Sequence, residues 1–225
     1  MASSIRGIPR FWYSVFERSR AVKRKLQQPR KRPTQARAIV TWNAILDAAA
    51  QVLLAKGYER ATTDRIAERA GVSIGSVYEY FPNKESIFAA LMLRWNEQRW
   101  AVFQTDRVAE LEPDLEGVIR GTVRARIAAT RLNPRLNTAL NLEVPRHVTQ
   151  DQSKTLHDEF LEVTVATLRK FENRLRSGNL ELMADIAIHS THAAVDNMAA
   201  SNPELLDTRE FEDEVTMLML RYVAK

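Results

Sequence analysis

The sequence predicts an all-α protein in two parts, an N-terminal three-helix unit built around a helix-turn-helix and a larger C-terminal helical unit. Three observations carry this. No stretch of the 225 residues alternates apolar and polar side chains as a half-buried strand does. Only seven glycines and eight prolines interrupt a chain rich in Ala, Leu, Arg and Glu, all good helix formers. Apolar side chains recur at three- and four-residue intervals, and a 45% apolar content is enough to bury a real core.

Residues 1–36 are expected to form a basic arm outside that fold. Through Arg37 the chain holds eleven Lys or Arg against the single acid Glu17, whereas residues 38–100 are neutral and residues 101–225 carry −5. The arm ends in QQPRKRPTQ, where two prolines and a charge cluster argue against a continuing helix. Three readings stay open: a polyanion-binding arm using Arg30, Lys31, Arg32 and Arg37, an amphipathic surface helix through Phe11, Trp12, Val15 and Phe16, or an extension from an upstream start codon.

Residues 37–83 read as one compact unit. Trp42, Ile45, Leu46, Ala49, Val52 and Leu53 give a first helix, with Gly57 placed for a left-handed cap. A two-turn helix follows, with Thr63 as N-cap, Asp64 in its first turn, Ile66, Ala67 and Ala70 on one face, and Gly71 closing it. Ser73 caps the next, whose Val77 and Phe81 point inward until Pro82 stops it, and Asn83 caps again. Two short helices around a glycine turn have the sequence form of a helix-turn-helix, whose second helix enters the DNA major groove.

Residues 84–225 continue as helices. Ile87, Phe88, Leu91, Met92 and Trp95 open a long one running past Trp100; Pro113 and Asp114 start another, and NPRL a shorter one that Pro145 breaks. A stripe from Leu156 through Phe160, Val163, Phe171 and Leu175 predicts a long helix capped at Gly178. Two final helices are expected over 181–200 and 208–224.

Composition excludes several function classes. Without cysteine there is no disulfide framework and no thiolate metal site, which suits a reducing, cytoplasmic setting. No apolar run reaches signal-peptide length or the roughly 18 residues of a membrane span, so no membrane partner is expected. There is no glycine-rich phosphate loop, no HExxH and no nucleophile elbow, so neither an enzyme nor a cofactor is expected.

The side chains around the turn suit DNA. Thr63 and Ser73 set hydroxyls beside free backbone N–H groups, which serves a phosphate as well as a cap. Gly75 lets the helix approach the groove floor, where Ile74 or Ser76 could meet a base edge. Tyr78 and Tyr80 each join an apolar ring to a hydroxyl; the competing reading for both is packing against the first helix. Lys84 stands at the wrong end of a helix for the dipole, which a phosphate would explain. Glu79 repels phosphate and is expected to face away, pair with a base or discriminate against wrong sites.

The stretch ILDAAAQVLLAKGYERATTDRIAERAGVSIGSVYEYFPNKESIF resembles the DNA-binding domain of the TetR family of transcriptional repressors, most distinctively in its tail, Gly71-Val72-Ser73, Tyr78, Tyr80-Phe81 and Asn83-Lys84-Glu85. The rest agrees in length and helix count only. The resemblance implies a cytoplasmic, ligand-responsive homodimer on a palindromic double-stranded DNA operator, with Tyr78 and Tyr80 on phosphate and groove. It also implies a dimer bundle through residues 181–200 and 208–224, using Ile186, Ile188, Ala193, Ala194, Val195, Val215, Leu218, Met219 and Tyr222. Trp95, Phe103, Asn141, Glu143, His147, Phe160 and His189 are candidate pocket residues for an unidentified small-molecule effector. His189, His192 and Asp196 have metal-ligand spacing on one helix, but without a second cluster no metal is expected. The alternative is a helical ligand-binding or scaffold protein whose basic arm meets acidic surfaces.

Overall fold

The computed structural model describes residues 33–109 and 114–225. Residues 1–32 of the expected arm, with Arg30, Lys31 and Arg32, and Pro113 lie outside the described residues, and the first helix already begins at Ala36, the last residue assigned to the arm. Among those described there are nine α-helices and no strand: α1 (Ala36–Lys56), α2 (Thr63–Ala70), α3 (Ile74–Tyr80), α4 (Lys84–Ala109), α5 (Leu115–Arg131), α6 (Pro134–Leu142), α7 (Arg146–Arg169), α8 (Leu180–Ser201) and α9 (Arg209–Val223).

Side-chain oxygens start most of them, satisfying backbone donors that have no partner inside the helix. Ser73, Asp114, Asn133, Asn179 and Thr208 each accept a backbone N–H three residues on. Asn83 and Ser86 exchange bonds as a capping box at α4. The cap of α2 is Thr62 rather than Thr63, because it is Thr62 Oγ1 that accepts from Arg65 N. Gly71 closes α2 at φ 68° and ψ 30°, left-handed as expected. Gly57 also has positive φ, but with ψ 165° it is an extended exit rather than a left-handed cap.

α7 is the element that departs most from its sequence pattern. It ends at Arg169, and Gly178 lies well beyond it. Phe171 enters a 3-10 turn, and Leu175 pairs with Ala224 in an isolated antiparallel bridge. Arg176 N donates to Val223 O and Lys225 N to Arg174 O, so the chain's end fastens the α7–α8 connection.

Two large apolar cores and a smaller one hold the helices. The first contains Trp42, Ile45, Leu46, Leu53, Ile66, Val77 and Phe81, and the same core takes in Ile87, Phe88, Leu91, Met92 and Trp95 of α4 and Leu136, Ala139, Leu140, Val144 and Val148. The sequence division at residue 84 therefore runs through packed side chains. Seven residues of α1 are buried there, which accounts for a helix that by length and composition alone would suit a membrane. The second core joins α5, α7, α8 and α9 through residues such as Leu115, Val123, Leu168, Met183, Val195 and Met219. Trp100, Phe103, Ala125, Phe160 and Ile188 form the third, between the other two along α4.

Candidate nucleic-acid interface and effector cavity

The helix-turn-helix is set by its buried side. Ile66 and Val77 are fully buried and Ala67 nearly so, letting α2 and α3 approach closely. Phe81 packs tilted against Trp42 of α1 with ring centroids 4.4 Å apart, and Tyr80 meets the same indole edge-on at 6.0 Å. Tyr80 is thus the tyrosine that packs against the first helix. It follows Val77 by three residues and precedes Phe81, so helical periodicity already put it on the inward side.

What remains outward on α3 is Ile74, Gly75, Tyr78 and Glu79, with Ser73 exposed just before the helix. Tyr78 is 43% exposed, and its hydroxyl lies 3.3 Å from Thr63 Oγ1, joining the last turn of α3 to the start of α2 in one polar pair. Ser76 turns its hydroxyl back to Ser73 Oγ at 2.9 Å. A Cβ added at Gly75 would meet nothing nearer than Ser73 Oγ at 3.7 Å, an ordinary contact. Nothing among the described residues therefore requires glycine at this position.

Lys84 has an internal partner that its position in sequence does not show. Its Nζ donates to Tyr58 O at 3.2 Å and sits 4.1 Å from the Tyr58 ring centroid, a cation–π contact. The lysine is explained without a phosphate, although it still carries its charge at the α3–α4 corner. The Tyr58 hydroxyl is pushed up to about 12, first by burial and then by the Glu85 and Glu59 charges, so it stays protonated. Arg37 is exposed in the first turn of α1.

From Lys84, α4 runs to Phe103 beside a cavity in the C-terminal body, about 28 Å along the axis at 1.5 Å per residue. Phe103, Ile119, Val123, Phe160, Ile188 and Met219 are among its walls, and no charged residue lines it among the described residues. Thr122, Thr167 and Thr191 also line it, but each hydroxyl donates to the carbonyl one turn back. The free space is about 80 Å³. That is less than the roughly 150 Å³ of a benzene-sized cavity, so a larger occupant must part the walls.

Of the other candidate pocket residues, Trp95 lies in the first core, donating from Nε1 to Asn137 Oδ1 at 3.3 Å. Asn141, Glu143 and His147 are exposed around the α6–α7 corner, where Glu143 Oε2 stands against Gly57. Neither group joins Phe103 and Phe160 at the cavity. His189 is two-thirds exposed and stacks on His157 of α7. Asp196 does not meet His189: its Oδ1 accepts from Arg126 Nη2 at 2.5 Å and Asn137 Nδ2 at 2.9 Å. Arg126 is buried, and Asp196 offsets the desolvation that works against its charge. With Trp95, these groups form a polar chain from α5 and α8 into the first core. His192, edge-on to Phe160 at 5.5 Å, is held well below the ordinary imidazole range, mainly by desolvation and then by Arg126, His157 and His189. Sequence reasoning missed Asn137, Arg126 and His157 because their partners are 28 to 70 residues away on other helices.

The dimer candidates divide. Ile188, Val195, Val215 and Met219 are buried within the chain, whereas Ile186 and Leu218 remain 41% and 55% exposed. Leu182 and Met217 join them outside. Leu182, Ile186 and Ala193 lie along one side of α8.

A three-helix reader with one outward helix, packed on a helical body that encloses an apolar cavity, defines the class as a helix-turn-helix protein with a C-terminal helical domain. Residues 45–91 match the family model for bacterial regulatory proteins of the tetR family, and residues 114–222 match the model for the tetracyclin repressor-like C-terminal domain, together more than half of the chain. The chain belongs to the TetR family.

Curated relatives agree over short stretches of the chain. The A-factor receptor protein of Streptomyces griseus is 50% identical over 58 residues, 26% of this chain and 21% of that protein. The fatty acid metabolism regulator protein of Bacillus subtilis is 45% identical over 47 residues, 21% of this chain and 24% of that protein. These matches span about a quarter or less of those proteins. Solved structures agree over nearly their whole length. FadR of Bacillus halodurans has a TM-score of 0.68 at 19% identity, covering 84% of this chain and 97% of its own. NalD of Pseudomonas aeruginosa, a repressor of the MexAB-OprM multidrug efflux pump, has 0.67 at 22%, covering 84% and 98%. At such identity these neighbours establish the fold.

Proposed function

We propose that the protein is a cytoplasmic, homodimeric transcriptional repressor that reads a palindromic DNA operator through α3 and is released by a small apolar effector. The observation that carries this is the outward face of α3. Among the described residues nothing requires glycine at position 75, and flanking it are Ile74 for a base edge or thymine methyl and the Tyr78–Thr63 pair for backbone phosphate. Ser73 and Ser76 lie at the start of the same helix, while Tyr80 acts from behind by fixing it to Trp42. Lys84 brings charge to the rim, and Arg37 with the arm residues Arg30, Lys31 and Arg32 supplies attraction that the neutral helix-turn-helix lacks.

The effector is an apolar molecule, because the described walls of the cavity are apolar and three of its threonine hydroxyls are already engaged. FadR of Bacillus subtilis, a structural neighbour with a TM-score of 0.65, has been solved with stearoyl-CoA, whose acyl chain is apolar and whose head is charged. Widening the cavity displaces Phe103 and with it α4, whose first turns lie in the reader's own core; this changes the spacing of the two recognition helices. The two chains meet through Leu182, Ile186, Met217 and Leu218.

Footprinting on the promoter regions beside the gene tests the reading. Two protected half-sites about one helical turn or a multiple of it apart are expected, and both are lost with Tyr78→Ala. Salt-sensitive binding without any sequence preference would instead favour the scaffold alternative.

A further inference from the structure

Three of the chain's four histidines gather between α7 and α8, and none of them lines the cavity. His157 comes from α7, and Asp185 and His189 stand one turn apart on α8. His157 Nε2 is 2.7 Å from Asp185 Oδ1, and His189 Nε2 is 3.5 Å from the same oxygen. The two imidazoles stack at 4.5 Å with their planes 20° apart. One donor per ligand residue lies within 4.8 Å of the others.

A hydrogen bond accounts for His157 on Asp185. It does not account for a second imidazole stacked on the first with its Nε2 turned toward the same carboxylate oxygen. A cation held among the three atoms satisfies them together. Bonds of about 2.0–2.1 Å to zinc in a tetrahedral site set donor atoms about 3.4 Å apart. The His189–Asp185 separation of 3.5 Å is close to that value, His157 must draw back from Asp185 by about 0.7 Å, and the two imidazole nitrogens, within 4.8 Å of each other, must settle to the same spacing.

We infer that His157, Asp185 and His189 bind a divalent transition-metal ion of the zinc, nickel or copper type. Two imidazoles and one carboxylate suit these ions, whereas calcium and magnesium take all-oxygen shells. Three protein ligands leave a further coordination position for water or for a ligand atom. The ion clamps α7 to α8 beside the cavity, since Phe160 and Ile188 of the cavity wall neighbour His157 and His189 in sequence. His189 also borders the exposed side of α8 assigned above to the dimer contact. Metal binding can be measured without DNA, so its failure and the failure of the repressor reading are distinguishable.

The test uses the full-length, tag-free protein, stripped with a chelator and titrated with Zn²⁺ by calorimetry and with Co²⁺ by visible absorption. One ion per chain with micromolar or tighter affinity is expected, together with cobalt bands of four- or five-coordinate intensity. His157→Ala and His189→Ala should each weaken Zn²⁺ binding at least about tenfold, and His147→Ala, distant at the start of α7, should not. Should the partly buried His157 variant fail to fold, the exposed His189 variant decides alone, with its melt in chelator checked against that of the parent chain. No binding at 100 μM Zn²⁺, or undiminished binding by His189→Ala, overturns the inference.

Discussion

Asp196→Ala is expected to strand a charge inside the protein. The Arg126 side chain is 3% exposed and that of Asp196 29%, so the pair lies nearer the buried limit than the surface one. Breaking a fully buried pair from one side costs about 3–5 kcal/mol, against 0–1 for an exposed pair. Asn137 Nδ2 loses its acceptor in the same change, and Arg126 Nε already has no partner among the described residues. A loss of about 3 kcal/mol follows, or about 6–12 °C in Tm at this chain length. Guanidinium unfolding followed by circular dichroism, at one fixed protomer concentration, measures it. Arg126→Met combined with Asp196→Ala should recover most of the loss, because the isolated charge is then gone. A single-variant loss under 1 kcal/mol, or a double variant no better than the single, would refute the reasoning.

Gly75→Ala should leave the fold as stable or up to about 1 kcal/mol more so, yet weaken operator binding; weaker folding would mean that the glycine serves the chain itself. Leu218→Glu should turn the dimer into a monomer by light scattering and abolish binding to the full palindrome, and a persistent dimer would move the interface elsewhere. Deleting residues 1–33 should flatten the dependence of log K on log salt in operator binding; an unchanged slope removes the arm from the interface. His192 has a folded pKa below its unfolded value, so the unfolded chain binds the extra proton and stability falls as pH drops below about 6.5. His192→Gln should shallow the decline in Tm between pH 7 and 5, and an equal decline in both proteins would assign it to other groups.

The reader was legible in sequence because its determinants are local. Ile66, Ala67, Gly71, Ser73, Val77 and Asn83 act within a few residues of where they stand, and each occupies the expected place. The two tyrosines were within reach of the same logic, since Tyr80 shares the side of Val77 and Tyr78 does not. Thr62 and Thr63 differ only in which hydroxyl faces the helix start, a choice no sequence pattern makes. Lys84 on Tyr58, Asn137 beneath Trp95 and His157 against Asp185 join separate helices, and periodicity along one helix carries no trace of them. The same limit misplaced Trp95 in the cavity. It shares a helix with Phe103 but lies two turns earlier, inside a different core.

The core that crosses from α1 to α6 limits how this regulator can be re-engineered. A chimera that exchanges its reading head for another, joined at residue 84, would bring a foreign underside against Leu136, Ala139, Leu140, Val144 and Val148. New DNA specificity is better introduced on the outward side of α3, where Ile74, Gly75, Tyr78 and Glu79 can change without disturbing the seam. A transplanted head would need those five residues redesigned with it before it could respond to the sensor.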